Sequence, residues 1–69
     1  MHMKNRIKVC RAELDITQED LAKRINSNAS SVALIEGGRH QPSVFLAFRI
    51  ADALGKDIND VFKLVKEDN

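Results

Sequence analysis

Sixty-nine residues make one domain near the small end of what folds alone, with 43% hydrophobic residues for a core of Leu, Ile, Val, Ala and Phe and a net charge of only +1. No apolar run reaches the roughly 18 residues of a membrane span, and no apolar h-region marks a signal peptide, so a single cytoplasmic domain over residues 1–69 is expected. One cysteine excludes an internal disulfide and offers no metal-ligand cluster, and the lack of Trp and Tyr removes a stacking platform for single-stranded nucleic acid.

Met1-His2-Met3 reads in part as a cloning remnant with Met3 as the natural start, so His2 is set aside as a ligand. A first helix is expected over about Asn5 to Leu14, with Ile7, Cys10 and Leu14 inward at i, i+3 and i+7. Cys10 then reads as a small buried hydrophobe, since no base stands ready to activate a thiol. Asp15 breaks that pattern. Thr17 can N-cap a second helix over about Gln18 to Ile25, with Asp20 reaching back to complete the cap. Leu21, Ala22 and Ile25 share one face of it, and Glu19 with Lys23 forms an i,i+4 pair on the outside. Asn26-Ser27-Asn28 favours a turn: Asn26 tolerates a left-handed backbone, and Asn28 can cap a third helix.

That third helix, about Ala29 to Glu36, has Val32 and Ile35 inward and must end at Gly37-Gly38. Two helices joined by about three residues cross steeply, and Ala22 supplies the small side chain the crossing needs. Such a pair matches the helix-turn-helix pattern, whose second helix can enter a DNA major groove, although paired amphipathic helices also occur in any small helical domain. Pro42 sets a turn and Ser43 can cap a fourth helix, about Val44 to Leu54, with Ala47, Ile50, Ala51 and Leu54 inward and Gly55 ending it. Phe45, Leu46 and Phe48 widen its apolar arc beyond one stripe. Asp57 is expected to cap a short fifth helix, about Ile58 to Phe62, with Asp60 as capping-box partner. From Phe62 to Lys66 the pattern loosely alternates with period two.

Four motifs carry a family resemblance. Ile16-Thr17-Gln18-Glu19-Asp20-Leu21-Ala22, Leu34-Ile35-Glu36-Gly37-Gly38-Arg39, Pro42-Ser43 and Ile50-Ala51-Asp52-Ala53-Leu54-Gly55 together resemble the Cro/phage-repressor (XRE-type) helix-turn-helix family, from about Asn5 to Phe62. The resemblance implies an all-α, five-helix lambda-repressor-like domain that binds double-stranded DNA as a homodimer, without a cofactor. It also implies that Gln18 and Arg39 contact DNA phosphates and that Arg11 pairs with Glu36. Gln18 would do so from a first helical turn, where backbone N–H groups are free. Some short members of the family end in a strand paired with an N-terminal one, which here would join residues 63–69 to Met1 through Lys4.

The sequence departs from the family on the third helix. Its outward residues are Ala29, Ser30, Ala33 and Leu34, with Ser31 beside them and Asn28 at the start, where the family usually places long polar side chains. Bidentate base readout needs Arg, Lys, Asn or Gln. Readout would then rest on phosphate contacts, thymine-methyl contacts from Ala29 or Leu34, and DNA shape. By resemblance the end of the fourth helix and the fifth lie beside the dimer axis. The expected interface is therefore Ile58, Val61 and Phe62 with Leu64 and Val65, joined by Phe45. The small outward residues and near-neutral charge also fit a protein-interaction module, antitoxin- or adaptor-like, with weak or lost DNA binding and a protein partner. No nucleophile or acid/base constellation points to an enzyme.

Overall fold

The structure, a computed structural model, describes residues 2–66. In chain order it contains β1 (His2–Asn5), α1 (Ile7–Leu14), α2 (Gln18–Arg24), α3 (Ala29–Glu36), α4 (Val44–Ala53), α5 (Ile58–Val61) and β2 (Phe62–Val65). After α1, each helix starts where a short polar side chain can accept from a free N–H. The Thr17, Asn28 and Ser43 side chains accept from Asp20, Ser31 and Leu46, and the Asp57 carboxylate accepts from Asn59. Asp60 is therefore not the partner of a capping box. Only α2 has the reciprocal box, with Thr17 N–H donating to the Asp20 carboxylate at 2.9 Å.

Four helix ends turn out through a left-handed residue, and two of the four are not glycine: Asp15, Asn26, Gly38 and Gly55. The bonds repeat each time. At the end of α3, Arg39 N–H reaches Leu34 O and Gly38 N–H reaches Ile35 O, as Ser27 and Asn26 N–H reach Ala22 and Lys23 O after α2. This double closure satisfies carbonyls that a helix end leaves unpaired.

The core is one cluster centred on Ile7, Leu21, Val32, Ile35, Ile50, Leu54 and Val61, all 2% exposed or less. Ala22 and Ala51 are buried where helices approach closely. Three expectations give way here. The first helix begins at Ile7, because Asn5 belongs to β1 and its side-chain oxygen accepts from Ile7 N–H. Leu14 is 44% exposed, because α1 ends there and Ile16, after the left-handed turn at Asp15, packs on the core instead. Val61 and Phe62 close the core within the chain, so they have little surface to give a partner. Phe62 also leaves the fifth helix to begin β2.

β1 and β2 pair antiparallel, with His2 opposite Val65, Met3 opposite Leu64, Lys4 opposite Lys63 and Asn5 opposite Phe62. The expected two-stranded ribbon is therefore present, while its Met1 position and the tail residues 67–69 lie outside the described residues. Arg6 N–H donates to Val61 O at 2.8 Å, continuing the closure into α1.

Arg11 and Glu36 lock the end of α3 to α1. Nε and Nη2 of Arg11 donate to the two Glu36 carboxylate oxygens at 2.7 and 3.0 Å, and Nη1 donates to Ile16 O at 2.9 Å. The two side chains keep only 14% and 7% exposure. This fork is the strong form of the interaction, two parallel charge-assisted bonds. The hydrogen bonding to Glu36 raises the guanidinium pKa, against the opposing effect of burial. Asn5 adds a second tie, its side-chain amide donating to Ile35 O at 2.9 Å.

Removing one partner of such a pair leaves the other charge desolvated. Arg11→Met should cost about 3 kcal/mol, the low end for a buried pair because the arginine keeps some contact with water. Adding Glu36→Leu should recover at least about 1 kcal/mol of that loss. Urea denaturation of both single variants and the double variant measures the coupling; strictly additive losses would contradict it.

Candidate nucleic-acid interface

The first turn of α2 is prepared by its cap. Thr17 and Asp20 satisfy each other, which leaves Gln18 at the front of the helix with its side chain half-buried. Asp20 is fully exposed, yet the Thr17 backbone N–H, and after it the Thr17 hydroxyl, pull its carboxyl below the usual value. Glu19 sits 3.9 Å from Lys23 with both side chains largely in water, a contact that contributes little.

Helix α3 packs on α2 through Val32 and Ile35, which turns Ser30, Ala33 and Leu34 to solvent; Ala29 and Ser31 are half-buried. Asn28 is exposed, with its side-chain oxygen spent on Ser31 N–H. Gln18 and Ala29 line one shallow groove with Thr17, Glu19 and Arg11. Ser27, Asn28 and Ala29 line a neighbouring one with Glu19 and Lys23. The structure thus sets Gln18 and Asn28 on either side of Ala29, in two neighbouring grooves at the α2–α3 crossing. Arg39 stands at the other end: its backbone folds over the last turn of α3, and its side chain is exposed. Ser30 and Leu34 lie between these two ends on the open side of the helix.

Two features qualify the electrostatics. No Lys or Arg lies in α3, and its one charge, Glu36, is already taken by Arg11. The groove at Gln18 also holds Asp15 and Glu19. Among the described residues no cluster of His, Cys, Asp and Glu could hold a metal, and no helix is long and apolar enough to cross a membrane.

A second exposed surface lies on α4. Val44, Phe45 and Phe48 are 74%, 72% and 55% exposed on one side of the helix, with the Arg49 guanidinium 5.9 Å from the Phe45 ring centre. Of the other expected interface residues, Leu64 is exposed while Ile58 and Val65 are half-buried. Sequence reasoning missed Asn5, which bonds α3 at one end of its amide and accepts from Ile7 N–H, at the start of α1, with the other. An Asn just before an apolar-periodic run was the available signal.

The helix-turn-helix family model matches residues 7–61. An uncharacterised HTH-type transcriptional regulator of Methanocaldococcus jannaschii is 45% identical over 60 residues, covering 87% of this chain and 91% of that protein. One from Methanothermobacter thermautotrophicus is 44% identical over 63 residues, covering 90% and 91%. One from Bacillus subtilis is 38% identical over 65 residues, covering 94% and 98%. The crystal structure of a candidate DNA-binding protein from Bacteroides fragilis superposes with a TM-score of 0.80 at 28% identity, covering 88% of this chain and 98% of that one.

The Asp20 cap gives a pH signature. Its folded pKa lies below its ordinary value of 3.8, so its contribution is present above about pH 4 and is lost as pH falls through the folded pKa. Asp20→Asn should therefore lower stability near neutral pH and flatten the acid limb, its curve approaching that of the parent at low pH. Urea midpoints measured across this range would contradict the assignment if the gap stayed constant with pH.

Proposed function

This chain belongs to the Cro/phage-repressor (XRE-type) helix-turn-helix family of transcriptional regulators, and we propose that it binds operator DNA as a homodimer with α3 in the major groove. The observation that carries this reading is the arrangement around α3. One side is buried through Val32 and Ile35, while the other is open between Gln18 at one end and Arg39 at the other. Free N–H groups in the first turn of α2 suit a phosphate beside Gln18. Arg39 supplies a charged donor for a second phosphate. Between them Asn28 and Ser30 offer short hydrogen-bonding groups, Ser31 a partly covered one, and Ala29 and Leu34 offer methyl contacts for thymine. Short side chains bring the helix backbone close to the base edges, so groove width and deformability contribute to selection. The regulator works in the cytoplasm, where its DNA is.

A single helix of this size reads too few base pairs to select a site in a genome. Two copies about a two-fold axis would read half-sites about 34 Å apart. The exposed Phe45 and Phe48 of α4, with Ile58, Leu64 and Val65 beside the chain's C-terminal ribbon, supply the apolar surface for an isologous contact.

Arg39→Ala should weaken binding to all duplexes about equally and lower the salt slope by about one unit. Gln18→Ala should weaken binding with nearly unchanged slope, and Ser30→Ala should change the preferred bases. Selection from random duplexes followed by salt titration measures all three; no binding to any duplex at low salt would transfer the scaffold to a protein-interaction role.

Phe45→Glu should shift sedimentation at micromolar concentration toward monomer while the helical circular dichroism persists, because Phe45 contributes almost nothing to the core. A parent protein that sediments as a monomer with and without operator would overturn the dimer.

A further inference from the structure

The eleven Lys and Arg residues divide into two groups. Five are engaged: Arg11 with Glu36, Lys23 with Glu19, Lys56 with Glu13, Arg24 with Ala53 O, and Arg49 with the Phe45 ring. The other six, Lys4, Arg6, Lys8, Arg39, Lys63 and Lys66, have no such partner among the described residues. Lys4 and Lys63 lie on the ribbon, Arg6 and Lys66 directly follow its two strands, Lys8 is in the first turn of α1, and Arg39 is the proposed phosphate contact.

Strand pairing makes the concentration sharper. The register sets Lys4 directly opposite Lys63, a like-charge pairing that works against the ribbon. Arg6, two residues on from Lys4, joins both of them around a cleft of about 340 Å³ that holds one carboxylate, Asp60. Lys4 also lines a second groove, with Gly37, Gly38 and Gln41 of the loop that carries Arg39 and with Glu36, whose carboxylate is taken by Arg11. The ribbon thus lies next to the Arg39 loop.

We propose that the β1–β2 ribbon is a second phosphate-binding surface, which holds the DNA backbone between the two half-sites, beside the Arg39 contact and the dimer seam, through Lys4, Lys63 and Arg6. It deepens the operator reading and rests on it. A recognition helix without cations leaves affinity to its surroundings, and the ribbon is where the free cations are. Phosphates seated between Lys4 and Lys63 would also relieve their mutual repulsion, so the bound ribbon is better matched than the free one.

The test uses the full chain and two duplexes, one unmodified and one with neutral methylphosphonates in place of the phosphates between the half-sites. On the unmodified duplex, Lys4→Ala combined with Lys63→Ala should lower the salt slope by nearly two units. On the methylphosphonate duplex the variant and the parent should have the same slope. Hydroxyl-radical footprints of the variant should lose protection between the half-sites while the half-sites themselves stay protected. Thermal stability without DNA should hold or rise, since a like-charge pair has been removed, and this excludes misfolding as the cause. Equal slopes on the unmodified duplex, or the same drop on both duplexes, would overturn the ribbon surface while leaving the operator reading intact. Failure of the parent to bind the unmodified duplex would overturn both.

Discussion

Glu36 occupies the last turn of α3, where the helix dipole disfavours a carboxylate, and Arg11 reverses that balance. Both carboxylate oxygens are taken by one planar fork, so α3 is fixed in rotation as well as position. The third nitrogen holds Ile16 O and sets the approach to α2. Asn5, just ahead of α1, adds its own bond to Ile35 O, so the end of α3 is held from two points at the start of the chain. The residues that α3 presents outward depend on this lock. Rotating the helix would expose Val32 and Ile35 and bury Ser30, losing apolar burial while desolvating a hydroxyl.

The local signals in the sequence were sharp, and the structure agrees with most of them. Thr17 with Asp20, Asn28, Ser43 and the left-handed Asn26 are decided within four residues of chain, so no tertiary information was needed. Most of the failures are non-local. Leu14 fits the inward period of the first helix, but whether a last residue reaches the core depends on where the next segment crosses, and Ile16 takes that place. Asp60 is a local failure: it has the right spacing for a capping box, yet the carboxylate of Asp57 turns to Asn59 instead. Val61 and Phe62 look like surplus apolar surface in the sequence because the segment that meets them, the start of α1, is more than 50 residues away. The pairing of Lys4 with Lys63 was out of reach for a related reason: no hairpin turn sets the register of strands from opposite ends of the chain.

The candidate interface was legible as a set of positions more than as a chemistry. Gln18 and Asn28 each share a groove with Ala29 at the helix crossing, and Ser30 and Leu34 are exposed. The sequence also showed that α3 lacks long polar side chains. It could not show how the remaining charge is distributed, because an ion pair removes a cation from the surface without changing composition. Arg11 and Arg39 look equivalent as letters; one is spent inside the fold and the other stands in water. A net charge of +1 is therefore a poor guide to what a polyanion would meet.

The ribbon also sets an order of events during folding. Each helix closes on contacts a few residues apart, whereas His2 meets Val65 only across nearly the whole chain. Closing so long a loop costs chain entropy that two short strands repay poorly unless the helices have already brought their ends together. During synthesis β1 therefore emerges long before its partner and pairs last, waiting for Phe62–Val65 to leave the ribosome. Until then β1 is a free strand edge, and on it Lys4 is a charged residue of the kind that discourages pairing with another nascent chain.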